Sequence, residues 1–303
     1  MTDDGAVNAL PTEQVLAGSE DLDTRSIEGV VDLLLEASAS VPDALARARP
    51  QLHAAARTVA RQLALGGRLI YVGAGTPGRL GAQDAAEIPP TYGVPEGLVI
   101  ALVAGGPQAG SRAVEGAEDD AGAGATDLAA LQPTDRDVVV GITASGRTPY
   151  VLAALEVARS AGATTVAVVN NAGSAAAGIS ECPVEVLTGP EVIAGSTRLN
   201  AGTAQKVVLN VLSTTAMVSL GKTWGPWMVD VQPSNHKLRL RARRILCEAT
   251  GLNDAQAQAA LDAAGGDTKT ALLSLLAGIG APEAAHRLAA SGGRVREALG
   301  AGA

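Results

Sequence analysis

The chain has 303 residues, of which 47% are hydrophobic, and it contains no phenylalanine, two tryptophans and three tyrosines. A large core is therefore expected, and it must be aliphatic, built mainly from Ala, Val and Leu. The 31 Asp and Glu exceed the 23 Lys and Arg, giving a net charge of −8 that argues against nucleic-acid or anionic-membrane partners.

The N-terminal sequence gives no sign of a targeting segment. Its first residues, MTDDGAVNALPTEQ, are acidic and lack the apolar core of a signal peptide. No run approaches the roughly 18 apolar residues that a membrane helix requires. The two cysteines, Cys182 and Cys247, match no metal-ligand spacing, which favours two free, buried thiols in a reducing compartment. A soluble, cytoplasmic protein is expected.

Residues 1–54 are predicted to form an N-terminal helical segment. After a polar stretch to about residue 30, apolar residues recur at helical spacing as far as Leu65, with Pro42 and Pro50 as interruptions. This pattern predicts two helices, the second of which ends at Gly66-Gly67.

Residues 55–225 are predicted to form an α/β domain around a doubly wound, five-stranded parallel sheet. Short runs rich in β-branched residues, apolar on both faces and separated by helical patterns, are typical of such strands. The five runs are RLIYVG (68–73), LVIALV (98–103), DVVVGI (137–142), TTVAVV (164–169) and VEVL (184–187). Ligands of this fold bind beyond the carboxyl ends of the strands, so the loops there are the expected site.

The rest of the chain is predicted to be helical. Residues 198–221 form a long Ala- and Val-rich helix that ends at Gly221. Residues 236–303 are expected to form a small three-helix bundle of the ubiquitin-associated type, including two short amphipathic helices joined at Gly265-Gly266. A packing or lid role is favoured for this bundle, because fold by itself does not carry function.

The first strand runs into a glycine-rich loop, GAGTPGRLGAQDAAE. It has Gly73, Gly75 and Gly78 in the G-x-G-x-x-G spacing of dinucleotide-binding proteins. Those proteins also need an acidic residue at the end of the second strand, where this chain has LVIALVAGG, so no nicotinamide or other cofactor is predicted. The better interpretation is a monophosphate held by backbone amides at a helix N-terminus and by the hydroxyl of Thr76.

Two further turns carry hydroxyl groups. The third strand runs into ITASGRTPYVLAAL, which offers Ser145, Gly146 and Thr148, and GSTRLNAGTAQK opens the long helix with Ser196 and Thr197. Each turn taken singly is also explained by helix capping. The repetition at neighbouring strand ends favours a shared phosphate-binding site, while Ser196 and Thr197 remain open between capping and ligand contact.

These loops resemble those of sugar isomerase domains, which bind phosphosugars, and the chain resembles the N-acetylmuramic acid 6-phosphate etherases over about residues 55–250. The similar segments are GAGTPGRLGAQDAAEIPPTYGV, GAEDD, GITASGRTPYV, GPEVIAGSTRLNAGTAQKVVLN, and MVDV followed by NHKLRLRARRI, with the opening TEQ as a weaker match. The resemblance implies cleavage of the lactyl ether by elimination and hydration, giving N-acetylglucosamine 6-phosphate and D-lactate in the recycling of cell-wall amino sugars. It also implies a homodimer, for which the Ala-rich helix 198–220 offers a packing face.

The resemblance places the family's two catalytic glutamates on Glu87, in DAAEIPP, and Glu118, in GAEDD. It implies that Glu87 protonates the leaving lactate oxygen and that Glu118 removes the proton from carbon 2. On the residues alone, a solvated glutamate near a helix end is the simpler interpretation of Glu87, and spacing does not select Glu118 from its acidic neighbours. Pro77 stands where the family usually has Ser, so weaker phosphate binding is expected, and Asn200 stands where the family usually has Lys.

Two alternatives to an etherase remain open. One is a non-enzymatic phosphosugar-binding regulator, since glucokinase regulatory proteins have similar loops, and the other is an aldose-ketose isomerase. The presence of both glutamates favours the etherase. The basic run Arg239–Arg244 is either a solvated helix face or a lid that supplies charge to the substrate. The three histidines show no metal spacing, so no metal is predicted.

Overall fold

The computed structural model describes residues 9–231 and 236–300. Within residues 9–68, three α-helices precede the sheet: α1 (Ile27–Ser38), α2 (Ser40–Arg47) and α3 (Arg49–Ala64). The sequence had predicted two helices here. A third helix is present because Pro42 and Pro50 each lie in the first turn of a helix. The N–H groups of a first turn have no acceptor within the helix, so proline is tolerated there. The prolines therefore mark helix starts rather than interruptions.

A five-stranded parallel sheet follows, which confirms the predicted fold class. Its strands are β1 (Leu69–Gly73), β2 (Val99–Val103), β3 (Val138–Ile142), β4 (Thr164–Val169) and β5 (Cys182–Glu185). They lie in the order β2-β1-β3-β4-β5, with Leu69 opposite both Val99 and Val138. Every residue of β1, β3 and β4 is buried, which explains why these runs are apolar on both faces.

The last strand lies two residues earlier than the predicted run 184–187. Pro183 occupies its second position, and proline weakens any strand prediction because it has no N–H for the ladder. Here β5 is the edge strand of the sheet, where proline is tolerated. The hydrogen bond from Val186 N to Val169 O, at 2.8 Å, extends the pairing just beyond the strand.

Helices cover the sheet and connect its strands. They are α4 (Gly75–Tyr92), α5 (Ala121–Ala130), α6 (Pro149–Ser160), α7 (Ala175–Ile179) and α8 (Asn200–Ser219). Helix α6 buries Val151, Ala154, Leu155 and Ala158 on one face, at the spacing of an amphipathic helix. Helix α8 is two residues shorter at each end than predicted, and Gly221 follows it in the left-handed conformation.

The chain divides into two compact units. The first comprises the chain up to Ala85 together with Gly97–Ser213, and it contains the five-stranded sheet. The second comprises Ala86–Glu96 and the chain from Thr214 onward. The proposed domain limits at residues 54, 225 and 236 stay predictions.

The second unit has its own small hairpin and helical core. The hairpin pairs β6 (Thr223–Trp224) with β7 (Trp227–Met228), and the helices are α9 (His236–Thr250), α10 (Asp254–Ala263), α11 (Thr268–Ala277), α12 (Ala281–Ala290) and α13 (Val295–Gly300). Residues 236–300 thus contain five helices, whereas a three-helix bundle was predicted for residues 236–303. Left-handed glycines at 278, 292 and 293 divide the tail into shorter pieces. The two helices joined at Gly265-Gly266 are α10 and α11, as predicted.

Across the described ranges, no helix is long and apolar enough to cross a bilayer. Cys182 and Cys247 are both free, but each is half-buried rather than buried as predicted. Cys182 opens the edge strand β5, where only one side of the strand is paired, and its Sγ lies 3.6 Å from the hydroxyl of Thr58.

Candidate functional site

A cavity of about 330 Å³ opens in the first unit at the end of the sheet. Strands β1 and β3 are neighbours in the sheet, but the chain crosses from β1 to β2 on one side and from β3 to β4 on the other. The loops that follow two such strands diverge and leave a crevice between them. The cavity is lined by parts of both loops and of three other segments. Its lining residues are Glu13, Ala74, Gly75, Thr76, Pro77, Glu118, Thr143, Ala144, Ser145, Thr148 and Thr197.

The loop after β1 brings a helix N-terminus to the cavity. Helix α4 begins at Gly75, and Gly75 and Thr76 both line the cavity, while their binding of an anion stays a prediction. The first N–H groups of a helix have no acceptor within it, so they are available to an anion. Gly78 has a steric role instead: a Cβ there would lie 2.5 Å from the carbonyl oxygen of Gly73, too close for any side chain.

The loop after β3 is organised around Thr143. Its hydroxyl lies 2.8 Å from the hydroxyl of Thr148 and 3.4 Å from that of Ser145, and it accepts a hydrogen bond from Gly146 N at 3.2 Å. Thr148 is the N-cap residue of α6, yet its side chain makes no capping hydrogen bond. The capping explanation therefore fails for Thr148, which lines the cavity together with Ser145 and Thr143.

Gly146 allows the loop to pass close to the next strand end. Its φ is +69°, in the region that favours glycine, and a Cβ there would lie 2.1 Å from the Oγ of Ser174. Any side chain at this position would displace the loop that carries Ser145 and Thr148.

Ser196 and Thr197, the two hydroxyl residues before α8, differ in their relation to the cavity. The first turn of α8 is capped by Glu191, so neither Ser196 nor Thr197 supplies the capping oxygen: the Glu191 carboxylate accepts from Asn200 N and Ala201 N, both at 2.9 Å. Thr197 lines the cavity, whereas Ser196 is not one of its lining residues. Asn200 is buried, and its side-chain amide donates to the carbonyl oxygen of Ala37.

Geometry separates Glu118 from the acids around it. Glu118 lies in a short 3₁₀ turn, Ala117–Asp119, and its exposed side chain lines the cavity that holds the hydroxyl groups. Asp120 instead caps α5, accepting from Ala123 N at 2.8 Å. Glu115 borders an adjoining cavity of about 180 Å³, which Glu118 also borders. Asp119 borders a third cavity of about 720 Å³ with Glu118, Ser145 and Thr148, so Glu118 is the one acid of this described group that borders all three cavities.

Glu87 belongs to the second unit. Its side chain is exposed on α4, and its carbonyl oxygen accepts from the hydroxyl of Thr91 at 2.7 Å. Its predicted role as the acid stays a prediction.

Sequence reasoning missed two polar residues of the cavity lining, Thr143 and Glu13. Thr143 was hidden in the string ITASG, where Ser145 drew attention as the hydroxyl next to glycine. Glu13 comes from the N-terminal segment, well over a hundred residues from the loops after β3 and β5. Its only signal was the weak match of the opening TEQ to the etherases.

The basic run on α9 contains ion pairs within the second unit. Arg243 lies 2.9 Å from the carboxylate of Asp254, and Arg244 lies 3.9 Å from that of Glu248. These contacts favour a solvated helix face over a lid. Within the described residues, no three His, Cys, Asp or Glu side chains come together in a way that would hold a metal ion.

Comparisons with known proteins place the chain in a family. An N-acetylmuramic acid 6-phosphate etherase of Rubrobacter xylanophilus is 52% identical over 299 residues, which are 99% of this chain and 99% of that protein. This chain belongs to the N-acetylmuramic acid 6-phosphate etherase family. An etherase of Streptomyces coelicolor is 50% identical and covers 97% of this chain and 95% of its own length.

Two domain models match the part of the chain that contains the sheet. The N-terminal SIS domain of glucokinase regulatory protein matches residues 51–159, and the SIS domain matches residues 121–215. A phosphoheptose isomerase from Francisella tularensis, 18% identical, aligns with 64% of this chain and 100% of its own, with a TM-score of 0.49.

Proposed function

We propose that this protein is a lyase that cleaves the lactyl ether of N-acetylmuramic acid 6-phosphate, yielding N-acetylglucosamine 6-phosphate and D-lactate. Family membership over nearly the whole chain supports the substrate. The observation that carries the proposal is the cavity itself, which combines a helix N-terminus and several hydroxyl groups with one of the two expected carboxylates, Glu118.

The hydroxyl-rich side of the cavity suits a phosphate group. The α4 amides at Gly75 and Thr76 offer N–H donors, and Ser145, Thr148 and Thr197 offer hydroxyl donors. None of the described residues that line this cavity is a Lys or Arg. The donors that line this cavity are therefore neutral, and the helix dipole adds to their effect. Arg147 borders an adjoining cavity of about 720 Å³ together with Ser145 and Thr148.

The proposed reaction begins on the open-chain aldehyde form of the sugar. Glu118 takes the proton from carbon 2, whose acidity the neighbouring aldehyde increases. The carbon–oxygen bond at carbon 3 then breaks, Glu87 donates a proton to the departing lactate oxygen, and a double bond forms between carbons 2 and 3. Water adds across that double bond, with OH at carbon 3 and H at carbon 2. Two carboxyl groups in opposite protonation states serve these transfers.

A regulator that only binds phosphosugars is a second candidate. The match of residues 51–159 to the N-terminal SIS domain of glucokinase regulatory protein favours it. A regulator has no need of a carboxylate such as Glu118 beside the phosphate donors, so the cavity lining supports the enzyme.

Release of D-lactate tests the proposal directly. The purified protein is incubated with N-acetylmuramic acid 6-phosphate, and D-lactate is measured by a coupled dehydrogenase assay. We expect release from the 6-phosphorylated sugar, little from the unphosphorylated sugar, and a loss of about 100- to 10,000-fold in the Glu118→Gln variant. Binding of the phosphorylated sugar without lactate release would favour the regulator.

We further propose a homodimer that acts in the cytoplasm. Helix α1 exposes an apolar stripe that includes Ile27, 81% exposed, and Leu35, 64% exposed, a pattern that favours contact with another chain. The two free cysteines are consistent with a reducing compartment. Light scattering at micromolar concentration would show twice the chain mass, and a monomer would contradict the dimer.

A further inference from the structure

The N-terminal segment contributes a second carboxylate to the cavity. Glu13 lies in a short 3₁₀ turn, Pro11–Glu13, and lines the cavity with Glu118 and the hydroxyl groups. Its side chain is half-buried. Within residues 9–231 and 236–300, no hydrogen-bond donor or cation contacts the Glu13 carboxylate. Its oxygens are therefore available to a ligand in the cavity.

The turn that carries Glu13 is held in place by its neighbour Thr12. Thr12 is fully buried, and its hydroxyl accepts a hydrogen bond from the side-chain amide of Asn171 at 3.0 Å. The carbonyl oxygen of Thr12 accepts from Gly195 N at 3.1 Å. Val15 forms an isolated parallel bridge with Glu191. These contacts tie the segment to the end of β4 and to the loop before α8, so the position of Glu13 is fixed by the sheet domain.

Gly195 leaves the space that Glu13 occupies. The φ of Gly195 is +73°, and a Cβ on it would lie 2.6 Å from Oε2 of Glu13. Alanine at this position would meet both a strained backbone and the carboxylate. The backbone of the Thr197 loop is thus shaped around the Glu13 side chain, two residues from a hydroxyl that lines the same cavity.

The charge of Glu13 limits which part of a substrate it can face. A carboxylate repels a phosphate group and also repels the carboxylate of a lactyl group, while it accepts strong hydrogen bonds from neutral donors. On an amino-sugar phosphate, those donors are the ring hydroxyls and the N–H of the acetamido group.

We propose that Glu13 is a specificity-determining residue that accepts hydrogen bonds from the hydroxyl or acetamido donors of the amino sugar. This proposal rests on the proposed function for the identity of the ligand. In this proposal Glu13 binds the sugar. The hydroxyl-rich loops bind the phosphate, and Glu87 and Glu118 carry out the proton transfers.

Calorimetric binding of two ligands to the full chain tests the proposal without requiring turnover. The ligands are N-acetylglucosamine 6-phosphate and inorganic phosphate. Glu13→Gln should weaken binding of the amino-sugar phosphate about tenfold, because a charge-assisted hydrogen bond becomes a neutral one. Binding of inorganic phosphate should stay unchanged or tighten, because a nearby negative charge is removed.

The matched control is Glu20→Gln, on the same segment but exposed, whose carboxylate accepts from Gly18 N. It should bind both ligands as the unmodified protein does. Gly195→Ala, which displaces the Glu13 side chain without altering it, should weaken sugar-phosphate binding in the same selective way.

Equal weakening of both ligands in Glu13→Gln, or no weakening of either, would overturn the proposal. So would a failure of the unmodified protein to bind the amino-sugar phosphate. A protein that binds this ligand selectively through Glu13 but releases no D-lactate would refute the etherase activity while supporting the role of Glu13.

Discussion

The carboxylate of Glu191 holds the first turn of α8 by accepting hydrogen bonds from Asn200 N and Ala201 N, both at 2.9 Å. Glu191 is completely buried, and a negative charge at a helix N-terminus is stabilised by the helix dipole. The cap comes from a residue nine positions before the helix, so the hydroxyl of Thr197 in between is not needed for capping. One buried carboxylate thereby leaves a hydroxyl free for the cavity.

Replacing Glu191 should destabilise the fold. Glu191→Ala leaves two buried N–H groups without an acceptor, so the free energy of unfolding should fall by about 2 to 4 kcal/mol. Urea denaturation followed by circular dichroism measures this change. Glu181→Ala, at an exposed position nearby, should change it by less than about 0.5 kcal/mol. Similar losses in both variants would show that the cap does not stabilise the helix.

Asp137 should make the stability of the protein fall in acid. Burial raises the pKa of this carboxyl, but hydrogen bonds from Arg68 and Thr134 outweigh burial and lower the pKa to about 2, from 3.8. The closest of these contacts is 2.7 Å, from Arg68 Nη2. Because the folded pKa is the lower one, the stabilisation is complete above about pH 5 and is lost as the pH falls towards 2.

Comparison with Asp137→Asn isolates this contribution. The variant should be about 2 kcal/mol less stable at pH 7, and the difference should shrink as the pH falls from about 4.5 to 2. Asp135→Asn, at an exposed neighbour, serves as the control. A difference between Asp137→Asn and the unmodified protein that is constant with pH would mean that the carboxylate charge is not its cause.

Ser145 should contribute to binding more than to the chemical step. Its hydroxyl lines the cavity on the side assigned to the phosphate, and loss of one hydrogen bond present in both the bound substrate and the transition state raises KM without lowering kcat. Ser145→Ala should raise KM about 3- to 10-fold. Ser160→Ala, at the exposed end of α6, should leave KM unchanged. A fall in kcat with an unchanged KM would indicate that Ser145 takes part in the chemical step.

Pro77 should limit the affinity for phosphate. It lies in the first turn of α4 and lines the cavity, where it offers neither an N–H nor a hydroxyl. Pro77→Ser restores both donors, so KM for the phosphorylated sugar should fall about 3- to 10-fold. Pro226→Ser, in an exposed turn, is the control and should leave KM unchanged. An unchanged KM in Pro77→Ser would place the phosphate away from this turn.

The two glutamates should separate in a hydrogen-exchange assay. An enzyme that lacks the acid still removes the proton at carbon 2, because exchange does not require the leaving group to depart. Glu87→Gln should lose lactate release while still placing deuterium at carbon 2 of N-acetylglucosamine 6-phosphate in heavy water. Glu118→Gln should lose both activities, each by about 100- to 10,000-fold. Mass spectrometry of the recovered sugar measures the exchange.

If hydrogen exchange were lost only in Glu87→Gln, Glu87 would be the base and Glu118 the acid. Full activity in both variants would remove both residues from the mechanism.

The sequence by itself determined the architecture and most of the loops that line the cavity. Strands such as Thr164–Val169 are recognisable because a strand buried on both faces must be apolar throughout, a property of the local sequence. Gly75, Thr76, Ser145 and Thr148 follow directly after strands β1 and β3, so knowing the fold class is enough to place them at one end of the sheet.

Only the tertiary structure decided how the hydroxyl groups and acids divide their roles. Whether Thr197 caps a helix depends on Glu191, and whether Gly78 contacts a ligand or packs against Gly73 depends on a distance between backbones. Glu13 reaches the cavity through contacts of Thr12 with Asn171, which is 159 positions away in the chain. No local pattern encodes such pairings, because they arise from which surfaces meet when the sheet and its loops pack.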